Sequence, residues 1–308
     1  MFIPFILTVI IQIVIPVFFS AWLWFTRGDP GIDWFSRLFL VIFYTAYIFT
    51  AGSWFWVYYW LRYLVAGLVL TSVLAGLIWI WQNGVPIFHL SGWKSRLEPG
   101  FYVVLGIIFL ILFVSAVRGS FYQGEALNLT FPLKGGTFYV AQGGSTKTIN
   151  RHLISEPQQY GLDMVKLYPA GNRARGMYPR ELERYAVYGQ EVYSPCDGLV
   201  TAAVDGLPDH IPPETDRINL AGNYVIIYKD GYKILLAHLQ QGSVAVQAGD
   251  MVKEGQLLGR VGNSGNTSEP HLHIHAEKGG SKEDHLVGVG VPVVFDNRFL
   301  VRNSLVIK

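Results

Sequence analysis

This chain is short of cysteine and short of charge. Its one cysteine, Cys196, excludes an intrachain disulfide and any cysteine-rich zinc site. Only 15% of its residues are Asp, Glu, Lys or Arg, where an ordinary soluble domain carries about 25%. The charge that exists is nearly balanced. Its 24 basic and 22 acidic residues leave a formal +2, too little to argue for a nucleic-acid partner. The shortage is also uneven. Residues 1–117 hold nearly all the long apolar runs, and 118–308 read as a polar-surfaced domain.

Four stretches, 2–26, 38–61, 63–83 and 101–117, contain no charged residue. Each is close to the roughly 20 residues that cross a bilayer, so 1–118 reads as a membrane domain of four transmembrane helices in a lipid bilayer. Trp54, Trp56, Tyr58, Tyr59 and Trp60 sit at the expected end of the second span, and Trp79 and Trp81 at the end of the third, as interface belts do. The second and third spans meet at Arg62, which predicts a tight hairpin. No ionisable residue is expected inside the spans. Arg27, Arg37, Lys94 and Arg96 lie beside loops one and three, against Arg62 and Arg118 on the other side. Positive charge favours the cytoplasmic side, which puts the C-terminal domain outside.

From Gly119 onward the pattern turns to strands. In "NYVIIYKDGYKILLAHL" (223–239), two apolar, β-branched runs meet at Asp230-Gly231, a hairpin signal. "GLVTAAV" (198–204) follows the turn "SPCDG", and the glycines of 249–265 suggest tight turns between short strands. Residues 205–223 read as a long loop, and 174–187 as irregular or partly helical. This half is expected to be a mainly antiparallel β domain.

Three of the eight histidines fall in "SEPHLHIHAEKG" (268–279), at His271, His273 and His275. On a strand these positions share a face. Neutral imidazole binds zinc, and a second nearby imidazole can move protons, so a metal site competes here with a packing feature.

Ordered blocks favour the metal site. "QQYGLDMV" with Asp163, "LLAHLQ" with His238, "GRVGNSGN" and "PHLHIH" occur in that order. With "YGQEVYSPCDGLV", "GNYVIIY" and "AGDMVKEGQLLGRVGNSG" they resemble the M23 family of lysostaphin-like zinc metallopeptidases over about 130–278. The resemblance implies the family's β-fold within 119–308. It also implies a zinc metalloendopeptidase acting on peptidoglycan peptides; the resemblance leaves the membrane half unexplained, and the apolar runs are what would anchor the chain in a bacterial cell membrane. Asp163 and His273 would be zinc ligands. His238 and His271 would flank the water that zinc activates. His275 is expected to be packed, with a place beside the metal ligands as the alternative, and Cys196 to be a small buried hydrophobe.

One position departs from the family. Its usual first ligand, four residues before the aspartate, is Gln159 here, and an amide oxygen is a poor zinc ligand. His152, in "NRHLIS", is expected to be the third ligand, with His210 and His285 as weaker candidates. A catalytically degenerate module that binds cell-wall peptide or activates another hydrolase remains the alternative.

Overall fold

The computed structural model describes residues 3–86, 94–282, 284 and 286–308. The chain forms two compact units, Phe2–Val117 and Arg118–Lys308. Among the described residues, four helices in the first unit are long and apolar enough to cross a membrane. They are α1 (Phe5–Phe25), α2 (Gly31–Ala51), α3 (Leu61–Asn83) and α4 (Lys94–Arg118). Their outward surfaces are apolar: Phe25, Leu64, Leu70, Ile78, Trp81 and Ile111 are all exposed. Helix α1 contains a π-turn at Ile10–Val14, and Tyr44 Oη donates to the Ile11 carbonyl inside it at 2.7 Å. Trp34 is fully buried, donates from Nε1 to the Leu23 carbonyl, and lies against Gly76, where no Cβ would fit.

Two expectations about this unit need correction. Helix α2 ends at Ala51, and a short 3-10 turn at Trp54–Trp56 leads to α3, so several of the aromatics expected to end the second span lie in a connector. Arg37 and Arg62 are not loop residues. Both lie within helices and are buried. Arg37 is held by the carboxylates of Asp29 and Glu98. Arg62 donates to the Phe49 carbonyl at 2.7 Å, and its guanidinium lies over the Phe49 ring. A long aliphatic stem lets an arginine run along apolar surface while its head finds partners.

The second unit contains β1 (Leu127–Leu129), β2 (Thr137–Gln142), β3 (Leu162–Leu167), β4 (Glu191–Tyr193), β5 (Gly198–Val204), β6 (Asn223–Lys229) and β7 (Tyr232–Leu239). They are followed by β8 (Met251–Val252), β9 (Leu257–Arg260), β10 (Leu272–Lys278), β11 (Val289–Val291), β12 (Val293–Phe295) and β13 (Leu305–Ile307). Among the described residues, nine strands make one sheet, ordered β13-β2-β3-β10-β7-β6-β5-β8, with β11 beside the second half of β10. Every pairing in it is antiparallel. The pair β1–β12 is parallel, and β4–β9 is antiparallel. The expected hairpin is present: β6 and β7 join at Asp230 and Gly231, both at positive φ. Strands β8 and β9 are not each other's partners. β8 pairs with β5 and β9 with β4. The sheet also reaches beyond residue 278, since β11 and β13 belong to it.

Alternation gives the sheet two different faces. Leu162, Met164, Val225, Ile227, Ile234, Leu236, Leu272 and Ile274 join one hydrophobic core. The opposite face carries Asp163, His273 and His275, with Leu235 and Ala237 beside them.

Candidate active site

The candidate residues come from four places in the chain, and the sheet brings them together. Asp163 on β3 pairs directly with His273 on β10. His152 lies on a 3-10 turn (Arg151–Ile154) that Asn150 secures. The fully buried Asn150 accepts from His152 N and donates to the carbonyls of Gly144, Gln159 and Gly161. Gly161 lets the chain pass close beneath the rings. A Cβ there would lie 3.0 Å from His273 and 3.4 Å from His152.

His238 arrives by a different device. Strand alternation would place it opposite Ala237, in the core. However, Asn223 pairs with Leu239 while Tyr224 pairs with Ala237, so His238 is the extra residue of a β-bulge. Its φ of 63° is in the left-handed region. The bulge turns the imidazole onto the face that Ala237 shares, so both line one cleft. His238 Nδ1–H then donates to the Ser264 carbonyl at 2.8 Å, and His271 Nδ1–H to the Glu269 carbonyl at 2.9 Å. In its neutral form each ring therefore has Nε2 as its acceptor. The loop that supplies these carbonyls is pinned by a buried Arg173–Glu269 pair, in which Arg173 Nε donates to both carboxylate oxygens at 2.9 and 2.8 Å.

Asp163 is the hub. His152 Nε2–H and His273 Nδ1–H each donate to its Oδ1 at 2.9 Å, and His271 Nε2 lies 3.6 Å from the same oxygen. The His238 ring is 4.8 Å from His271 and 6.0 Å from His273, centre to centre. Burial opposes ionisation of Asp163, but the charges of His152 and His271 and the hydrogen bonds from His152 and His273 hold its carboxyl well below the usual range. Burial also opposes charge on His152, yet Asp163 and a Gln158 hydrogen bond raise its pKa overall. His238 is driven well down by burial and by the neighbouring His271 and His273. His273 falls to about 4, mainly through burial, with Asp163 opposing the shift.

Among the described residues, His152, Asp163 and His273 form a group whose donor atoms all lie within 4.8 Å of one another. Two neutral nitrogens and one carboxylate oxygen match the donor set and number of a catalytic zinc site. A tetrahedral zinc with bonds near 2.1 Å spaces its ligands about 3.4 Å apart, so the cluster needs only a slight opening to hold one. Gln159 does not point into this cluster; its Nε2 donates to the Gly290 carbonyl at 3.0 Å. His210 lies elsewhere, pairing through its backbone with Asn263, and His285 is outside the described residues. His275 is not merely packed. Its Nδ1 is 2.9 Å from His273 Nε2.

The model of peptidase family M23 matches residues 183–285. The chain carries a peptidase M23 domain. The matched segment includes His238, His271 and His273 and begins after His152 and Asp163. The M23 domain is similar to two proteins of Vibrio cholerae serotype O1. One is peptidoglycan DD-endopeptidase ShyC, 27% identical over 162 residues, or 49% of this chain and 34% of the relative. The other is peptidoglycan DD-endopeptidase ShyA, 33% identical over 142 residues, or 45% and 29%. The chain spans about a third of the length of these curated relatives. Among solved structures, Helicobacter pylori Csd3 matches at 20% identity and a TM-score of 0.29, covering 50% of this chain and 30% of that one. A zinc containing peptidase from Vibrio cholerae matches at 24% and 0.23, covering 37% and 43%.

Sequence reasoning missed Asn150, the Arg173–Glu269 pair and the bulge at His238. Asn150 had a signal, since an asparagine two residues before a ligand candidate is a natural cap for a short turn. The bulge had none, because register shifts depend on the partner strand.

Proposed function

We propose that this chain is a membrane-anchored zinc metalloendopeptidase that hydrolyses peptide bonds in peptidoglycan, with its β unit outside the cytoplasmic membrane. One observation carries the reading. Three donor atoms, on His152, Asp163 and His273, converge beside two further imidazoles that are held by backbone carbonyls and, when neutral, have Nε2 as acceptor. When bound, zinc polarises a peptide carbonyl and lowers the pKa of a water toward neutrality.

The chain's own residues supply the rest. His271, with Nδ1–H fixed on Glu269 and Nε2 close to Asp163, takes a proton at Nε2 and returns it to the leaving amine. His238, kept neutral by its surroundings, offers a second acceptor from the bulge. The cleft, about 200 Å³, is walled by Leu220, Ala221, Leu235, Ala237 and Leu286 and takes a small apolar part of the peptide. The peptidoglycan substrate is supported by the names of the two curated relatives. The outward orientation is supported by the loop charges and by where that substrate lies.

The test uses the detergent-solubilised full chain on purified peptidoglycan, with products read by mass spectrometry. Zinc-loaded protein is expected to release peptides with new amino termini, and a chelator to stop it. His271→Ala is expected to keep zinc and lose about 10³-fold in rate. Zinc-loaded wild type that binds peptidoglycan without cutting it would replace this reading with the binding-module one. A reporter fused after Lys308 that is active only in the cytoplasm would overturn the orientation.

A further inference from the structure

We propose that His275 is a positioning residue for the metal site: its Nδ1 accepts the Nε2–H of His273 and so leaves His273 Nδ1 as a lone pair aimed at the His152–Asp163 donors. The inference rests on the zinc reading above and adds a residue to it.

The geometry allows His273 few partners. Its Nδ1 faces Asp163 Oδ1 at 2.9 Å and its Nε2 faces His275 Nδ1 at 2.9 Å. The two rings are 5.2 Å apart and inclined at 66°, and both are almost fully buried. They sit on one face of β10, against Ala237 and Leu235 of β7. A neutral imidazole carries one proton. Without a cation, His273 can donate from Nδ1 to Asp163. A cation seated among the three donors requires the Nδ1 lone pair, so the proton must sit on Nε2. Buried there, that N–H needs an acceptor, and an unmatched one costs about 1–3 kcal/mol. His275 Nδ1 stands at hydrogen-bond distance, and accepting there places the proton of His275 on its own buried Nε2. Metal-bound histidines commonly donate their second N–H to an acceptor that fixes tautomer and ring orientation. Here that acceptor is a second imidazole two residues along the same strand. This also answers why three histidines alternate at 271, 273 and 275: one for protons, one for the donor set, and one to orient the second.

The test measures zinc affinity of the full chain in detergent by competition with a chromophoric chelator, together with the visible spectrum of the cobalt(II)-substituted protein. His275→Leu fills the space without an acceptor, and His275→Phe keeps a ring without nitrogen. His275→Asn places an amide oxygen where Nδ1 stands. Chelated samples of each are melted to compare folding without metal. The Leu and Phe variants are expected to bind zinc about 10–100-fold more weakly than wild type, with an altered cobalt spectrum. The Asn variant is expected to stay within about threefold and to keep the wild-type spectrum. If the Leu or Phe variant that folds binds zinc as tightly as wild type with an unchanged spectrum, His275 does not position the site. If wild type holds zinc and His275→Asn falls as far as His275→Leu, the accepting nitrogen is not what matters. If wild type holds no zinc at micromolar concentration, the zinc reading falls, and this inference with it.

Discussion

The two units bury polar groups in opposite ways. In the helical unit they are scattered. Arg37 meets two carboxylates, Arg62 meets a carbonyl and aromatic rings, and the buried Gln12 has no hydrogen-bond partner for its Oε1 among the described residues. In the β unit they are concentrated on one sheet face and linked. Asp163 joins His152, His271 and His273, and His273 joins His275. Further along the same strands, the buried Lys233 and Glu277 pair at 3.4 Å, and Glu277 accepts from Leu286 N and Gly288 N, which holds one wall of the cleft. Scattered burial serves local packing between helices. Linked burial fixes the relative positions of several side chains, and chemistry needs that.

The comparison makes predictions, and the first separates the units outright. A fragment of residues 118–308 is expected to unfold in one cooperative thermal transition, because its core closes on itself. A fragment without such a transition would show that the β unit depends on the helices. Next come the donors. His152→Ala is expected to lose zinc as badly as His273→Ala, by about 10²-fold or more, while Gln159→Ala loses little. Elemental analysis after dialysis reads the result, and the reverse ranking would reassign the ligand. Third, Glu269→Ala leaves Arg173 buried without its carboxylate partner, and is expected to destabilise the β unit by about 3–5 kcal/mol in denaturant melts.

A smaller effect is expected from pH, in chelated protein. His273 is pushed to about 4 and His238 well down, so between about 6.5 and 4 the unfolded chain binds protons that the folded chain refuses. Stability therefore falls on acidification through that window. His152 has the opposite sign. Its raised pKa contributes fully below 6.5 and is lost as pH rises through the folded value. The stability maximum should lie near 6.5, and a flat profile from 4 to 6.5 would contradict the buried-neutral assignment. The smallest change is Cys196→Ala. The thiol is buried, with its pKa pushed up to about 11, and it stands outside the donor cluster. About 1 kcal/mol of stability is expected to go, with zinc unchanged.

Much of this was legible in the residues. Long charge-free runs gave the four apolar helices, and Asp230-Gly231 gave the β6–β7 hairpin, because both signals are local. His271 and His273 were legible because a two-residue period fixes a strand face. The edges of α2 were not, because a helix can carry Arg37 inward once Asp29 and Glu98 are near, and those partners are set by tertiary structure. The bulge at His238 and the pairing of β8 and β9 with β5 and β4 were hidden for the same reason. His275 looked like packing because its partner is visible only once two rings have been oriented.

The pairing of β3 with β10 also bears on timing. His152 and Asp163 are 11 residues apart, but Asp163 and His273 are separated by 110. A growing chain can therefore assemble two of the donors early and must wait for the third. Strand β3 lies between β2 and β10, so its second edge stays open until β10 emerges. During synthesis the half-built cluster lacks the nitrogen that completes it, and both proton-carrying rings arrive late as well. The cluster thus cannot exist on a nascent fragment; it comes into being only when most of the β unit has left the ribosome.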